Sequence, residues 1–157
     1  MAIEQPHEGV ADNATSDPPC PICQKHRGHG PLTGPVIHSD TLIEITHRAD
    51  GPLGYVFIET KRHVASLGHL TEEEARVIGQ ARSRLARGLR TELGVEHVHA
   101  FVAGLGIPHF HEHLFARHLG TPHDHPWWQQ WDGGVRGDVA GFAARLSIYT
   151  GDLDGPP

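Results

Sequence analysis

The chain has 157 residues, enough for one domain with its own core and too few for two of ordinary size. A formal net charge of −6 and a pI near 6.2 argue against the basic face of a nucleic-acid-coating or membrane-surface protein, and no apolar run approaches the roughly 18 residues of a membrane span. The unusual figure is 15 histidines against 2 cysteines, which points to metal or acid–base chemistry. No basic, apolar leader opens the sequence, so no signal peptide is expected and the cytoplasm is the expected location.

Residues 1–18 are polar and aperiodic and predict a disordered tail. Cys20-Pro21-Ile22-Cys23 follows. In a reducing compartment a C-x-x-C pair is a redox motif or half of a metal site. Redox pairs favour the start of a helix after a strand. Here Pro18 and Pro19 precede the pair and Gly28 and Gly30 follow it, so half of a metal site is the expectation. Val36 to His38, a turn at Ser39-Asp40, and Thr41 to Thr46 predict a hairpin. Gly54 to Glu59, rich in β-branched and aromatic residues, predicts a third strand.

The one strong helix signal comes next. Thr71 is a good N-cap and Glu74 completes a capping box. Leu70 and Ala75 are placed to staple the entry. Glu72, Glu73 and Glu74 suit the positive helix end. Ala75, Ile78, Ala81, Leu85 and Leu89 form an apolar stripe at helical spacing, with Arg82, Arg84, Arg87 and Arg90 read as a solvated face, and Gly94 as the stop. Two further strands are expected, Glu96 to Ala103 and His109 to Ala116, and a short helix over Val139 to Ile148. Strands, one long helix and more strands predict an α+β fold: an antiparallel sheet of about five strands, one long helix and a short C-terminal helix. One domain is expected over residues 19–150, with a flexible tail over 151–157.

His109-Phe110-His111-Glu112-His113-Leu114 carries the most information. In a strand, residues two apart share a face, so His109, His111 and His113 are expected to point the same way. Three imidazoles on one face serve metal binding, catalysis or a solvated polar surface, and the alternation alone leaves these open. A metalloenzyme using the three as a catalytic metal site is one such alternative.

The chain resembles the histidine triad (HIT) nucleotide hydrolases and transferases. The resemblance runs from Cys20 to about Trp131. It rests on the C-x-x-C before a hairpin, Lys61-Arg62-His63 after the third strand, Leu70-Thr71-Glu72-Glu73-Glu74 opening the helix, and the triad from His109 to Arg117. The segment Gly120-Thr121-Pro122, followed by tryptophans, is similar to a bacterial, zinc-binding subgroup. The resemblance implies that His111 attacks phosphorus to give a covalent nucleotidyl-histidine, with His113 contacting the phosphate or leaving group. It implies one structural zinc ion per chain held by Cys20, Cys23, His63 and His109. It also implies a small-molecule substrate, a nucleotide, and a homodimer pairing across the long helix and a sheet edge.

Four positions depart from the family pattern. Tyr55 stands where many members have histidine, and His47 where an acidic residue holds the ribose hydroxyls. Gly104-Leu105-Gly106-Ile107-Pro108 lacks the side-chain donors of the phosphate loop. Glu112 replaces an apolar residue on the face opposite the triad, where a carboxylate needs a partner or water. These departures leave a second function class open, a HIT-fold descendant with a non-nucleotide substrate or different chemistry. His118, His123 and His125, with Asp124, form a second local cluster, read as a polar loop or a second metal or acid site. Trp127, Trp128 and Trp131 are read as walls of a pocket or interface, or as a cap on the core.

Overall fold

The computed structural model describes residues 20–95 and 97–153. The expected tail over 1–18 lies outside them, as do residues 154–157 and Glu96, where the fourth strand was expected to begin. The chain runs α1 (Pro21–Lys25), β1 (Val36–Ser39), β2 (Ile43–His47), β3 (Tyr55–Thr60), α2 (Glu72–Leu93), β4 (His97–Phe101), β5 (His111–Arg117) and α3 (Val139–Leu146). The strands form one antiparallel sheet in the order β1-β2-β3-β5-β4. The fold is therefore α+β, as expected, with β3 at the centre, β5 between it and β4, and β1 and β4 at the two edges.

Local chemistry sets the elements. Asp40 turns the first hairpin by accepting from the backbone N–H groups of Leu42 and Ile43 at 2.7 and 2.8 Å. The capping box at Thr71 and Glu74 is complete, and Gly94 ends α2 in the left-handed region at φ 64°. Glu74 also binds Arg62 through both carboxylate oxygens, at 3.0 and 2.7 Å. The helix start is thereby tied to the segment that carries His63. This guanidinium holds the Glu74 carboxyl below its usual range.

Helix α2 covers one face of the sheet with Val77, Ile78, Ala81, Leu85 and Leu89, against Val56, Ile58 and Leu114. The stripe expected from sequence is displaced at its start: Ala75 is exposed and Val77 is buried. The entry is set by the capping box and by Glu74, which turns inward. Helix α3 adds Phe142, Ala143 and Leu146 to the same core, and Leu153 is buried beyond it. Gly54, at φ 86°, lets β3 pass close beneath α2; an added Cβ there would stand 2.6 Å from Leu93 Cδ1.

Glu112 lies within this apolar layer and is 2% exposed. It does not reach water. Arg82 of α2 binds both its oxygens, Nη2 at 2.7 Å and Nε on the other. Arg82 is thus not a simple solvated residue, although half of its side chain is exposed. Arg82→Ala, which strands a buried carboxylate, should cost about 2–3 kcal/mol. The double variant with Glu112→Leu should recover most of that loss. Denaturant unfolding of the two variants beside wild type checks both.

Candidate functional site

The site lies on the opposite face of the sheet. The β3–β5 register pairs Glu59 with His111, Phe57 with His113 and Tyr55 with Phe115, and β4 brings Phe101 opposite His113. These side chains share one face because residues two apart do.

Strand β5 begins at His111, so His109 precedes it rather than opening it. Phe110 N–H donates to Val64 O across the entry at 2.6 Å. His109 is buried, and its ring packs edge-on against His26 and His63. Its Nε2–H donates to Thr60 O at 2.7 Å, which leaves Nδ1 as the free nitrogen. Around Nδ1 stand Cys20 Sγ and Cys23 Sγ at 3.4 Å each and His63 Nδ1 at 3.2 Å, with Cys23 Sγ 3.4 Å from His63 Nδ1. A tetrahedral zinc ion with ordinary Zn–S and Zn–N bonds needs donor separations of about 3.3–3.8 Å.

The donors therefore fit zinc. The carbonyl behind His109 is the outer partner a zinc-bound imidazole uses. Burial and the adjacent Cys20 thiol raise the Cys23 thiol, a cost that a bound cation offsets. Cys20 caps a five-residue helix, α1, which the sequence analysis did not predict. The structure brings its thiol together with Cys23, His63 and His109. Among the described residues no metal-competent cluster includes His111 or His113.

His111 Nδ1–H donates to His109 O at 2.7 Å, leaving Nε2 unshared. His113 Nδ1 lies 2.8 Å from Tyr55 Oη, and its ring stacks on Phe101 with centroids 4.5 Å apart. Burial, reinforced by His111, lowers the His113 pKa to about 4; burial raises the Tyr55 phenol. His113 is neutral at pH 7 and Tyr55 keeps its proton.

A cavity of about 430 Å³ opens beside His111 and His113. Ile22 and Lys25 of α1, Leu32 and Thr33 of the following loop, Arg48 and Phe57 line it. Its floor holds a group that the sequence analysis missed. Glu59, 2% exposed, receives Lys25 Nζ at 2.8 Å and His26 Nε2 at 3.0 Å. Burial alone would raise its carboxyl, but His26 and Lys25 bring it below the ordinary range. The strand alternation placed Glu59 on this face, but nothing in the sequence paired it with α1.

The other candidate residues sort clearly. His47 is buried in the core, with Nδ1–H donating to Arg48 O at 2.6 Å and Nε2 accepting from Gly54 N at 2.8 Å. It braces the β2–β3 turn. His118 is buried, within 2.9 Å of Leu53 O, apart from His123 and His125. Those two line an open groove with His97, His99, Arg117, Trp127 and Trp128. Trp127 and Trp128 are half exposed there, while Trp131 packs beside Gly133. Leu105 is 96% exposed.

No protein-family profile matches the sequence, and no curated protein matches it. Solved structures do match. A HIT-like protein involved in cell-cycle regulation from Bartonella henselae superposes with a TM-score of 0.63 at 12% identity, over 85% of this chain and 98% of that one. A Zn-bound histidine triad family protein from Mycobacterium smegmatis gives 0.63 at 20% identity, over 87% and 96%. A histidine triad protein from Bradyrhizobium japonicum gives 0.61 at 18%, over 73% and 89%.

Two measurements test the site. Cys20→Ser should lower both bound zinc, read by elemental analysis, and the thermal midpoint. Burial holds His47, His113 and His118 below 6.5. The unfolded chain therefore binds more protons than the folded one as pH falls from about 6.5 towards 4, and stability should fall across that window. A thermal midpoint that stays level from pH 7 to 4.5 would contradict this. With five antiparallel strands, one long helix and the triad on the face opposite it, the chain has the histidine triad fold.

Proposed function

We propose that this protein is a HIT-like hydrolase or transferase acting on a nucleoside phosphoanhydride or phosphoramidate. The reaction runs through a covalent nucleotidyl-histidine on His111. The observation that carries this is the hydrogen bond from His111 Nδ1–H to His109 O at the edge of a ligand-sized cavity. It fixes the tautomer, so the Nε2 lone pair is the nucleophile. A volume of about 430 Å³ falls in the range of small-molecule sites, and the apolar walls suit a planar ring.

Nε2 of His111 forms a bond to phosphorus as the bond to the leaving group breaks. A phosphate departs as an anion; an amine takes a proton from water. Water then attacks the same phosphorus, breaks the P–N bond and releases the nucleotide. His113, with Tyr55 donating to its Nδ1, carries its own proton on Nε2 and offers it as a hydrogen bond to a phosphoryl oxygen. Neutral donors suit charge that develops in the transition state. The zinc ion, one per chain, is structural: four protein donors leave no open position. A homodimer in the cytoplasm completes the proposal, with β4, one of the two edge strands, available to a second copy.

The test is release of nucleoside monophosphate from a panel of dinucleoside polyphosphates and nucleoside phosphoramidates. Wild type should turn over part of the panel, and His111→Ala should turn over none of it while still folded. Turnover that survives in His111→Ala would sink the covalent route. Tyr55→Phe removes one hydrogen bond to His113 and should slow turnover about tenfold. Steady-state kinetics on the best substrate checks this.

A further inference from the structure

The cavity beside His111 is apolar on most sides and charged on its floor. Ile22, Leu32, Phe57 and Ile107 supply the apolar surface. Lys25 and Glu59 also line it, each with its side chain 3% exposed. An ion pair in such a place carries a desolvation penalty that an apolar pair of similar volume avoids, so packing does not account for it.

The valences of Lys25 are not exhausted. An ammonium has three N–H donors and no acceptor. One donor goes to Glu59 Oε1 at 2.8 Å. Phe57 presents its ring 4.9 Å from Nζ, a cation–π contact. Among the described residues Glu59 is the one hydrogen-bond acceptor for Nζ. Glu59 is itself held on its other oxygen by His26 at 3.0 Å, which locks the pair in place. A rotationally fixed cationic donor therefore faces the space that a ligand fills.

We propose that Lys25, oriented by Glu59, determines which ring the site accepts, and that this ring presents a carbonyl oxygen to it: an oxopurine such as hypoxanthine rather than an aminopurine such as adenine. The proposal rests on the nucleotide reading of the cavity given above. A carbonyl oxygen completes the ammonium's hydrogen bonding. An amino group in the same place sets two donors against each other and leaves the buried ammonium without that acceptor. A site built around a buried donor discriminates strongly against a ligand that cannot accept. A phosphate oxygen is the other source of an acceptor, and it is common to both kinds of nucleotide.

The experiment is calorimetric titration of the full-length zinc-loaded protein with inosine and adenosine monophosphates, which share the phosphate and sugar. Wild type should bind the inosine compound at least about tenfold more tightly. Lys25→Met should weaken the inosine compound to the level of the adenosine one. Lys25→Arg, which keeps a donor, should retain the preference. Equal affinities in wild type, a preference for the adenosine compound, or no binding of either near roughly 1 mM would each overturn the proposal. So would Lys25→Met weakening both ligands equally, which would place the Lys25 contact on the phosphate. The wild-type comparison does not depend on how well any variant folds. Binding does not require turnover, so the two levels separate. Selective binding without any monophosphate release would remove the covalent chemistry and leave the selection. Equal turnover of adenosine and inosine substrates would do the reverse.

Discussion

His109 is the residue on which the rest of the site depends. Its ring joins Cys20, Cys23 and His63 on one side and the Thr60 carbonyl on the other. Its own carbonyl holds Nδ1–H of His111. One residue thus sets two tautomers. The zinc-competent cluster leaves His109 no freedom to rotate, and the backbone it anchors leaves His111 one nitrogen with which to react. The metal-competent cluster and the candidate nucleophile meet in one short segment because His109 stands two residues before His111, just outside the strand.

The same cluster builds the cavity wall. Helix α1 has five residues, far too short to persist alone. It is held by its two thiols and by Lys25 and His26 reaching Glu59. Ile22 and Lys25 thereby line the cavity. On the far side of the sheet, Arg82 and Glu112 do comparable work for α2, joining the helix to β5 between His111 and His113. The strand that carries the candidate nucleophile is thus clamped from both faces, through His109 on one and Glu112 on the other.

Much of this was legible in the sequence because its causes are local. The capping box at Thr71 and Glu74, the left-handed stop at Gly94 and the Asp40 turn each depend on residues within a few positions of one another, and each appears where it was expected. The alternation through His111 and His113 survives because a strand has no other periodicity available. Ala75 shows the limit of such reasoning: a helical stripe defines a face, but the inward turn of Glu74 decided where that face begins. His47 shows another limit. The resemblance marked it only as a departure from the family's acidic residue, and gave no sign that both ring nitrogens are satisfied by the neighbouring turn.

By itself the sequence determined the α+β class, the order of the five strands and the two longer helices, and the alternation through His111 and His113. These follow from periodicity and capping, which act over short stretches. The four donors Cys20, Cys23, His63 and His109 came only from the resemblance to a family, carried by an ordered set of motifs. The tertiary structure alone decided what those residues do to one another. It joined His109 to Cys20, Cys23 and His63, set Tyr55 beside His113 and gave Glu112 to Arg82. It also placed Lys25 and Glu59, 34 positions apart, on the floor of one cavity. Each of these is a contact between distant segments. Its existence depends on strand register and helix docking, and those are set by burial of the whole core rather than by any local run of residues.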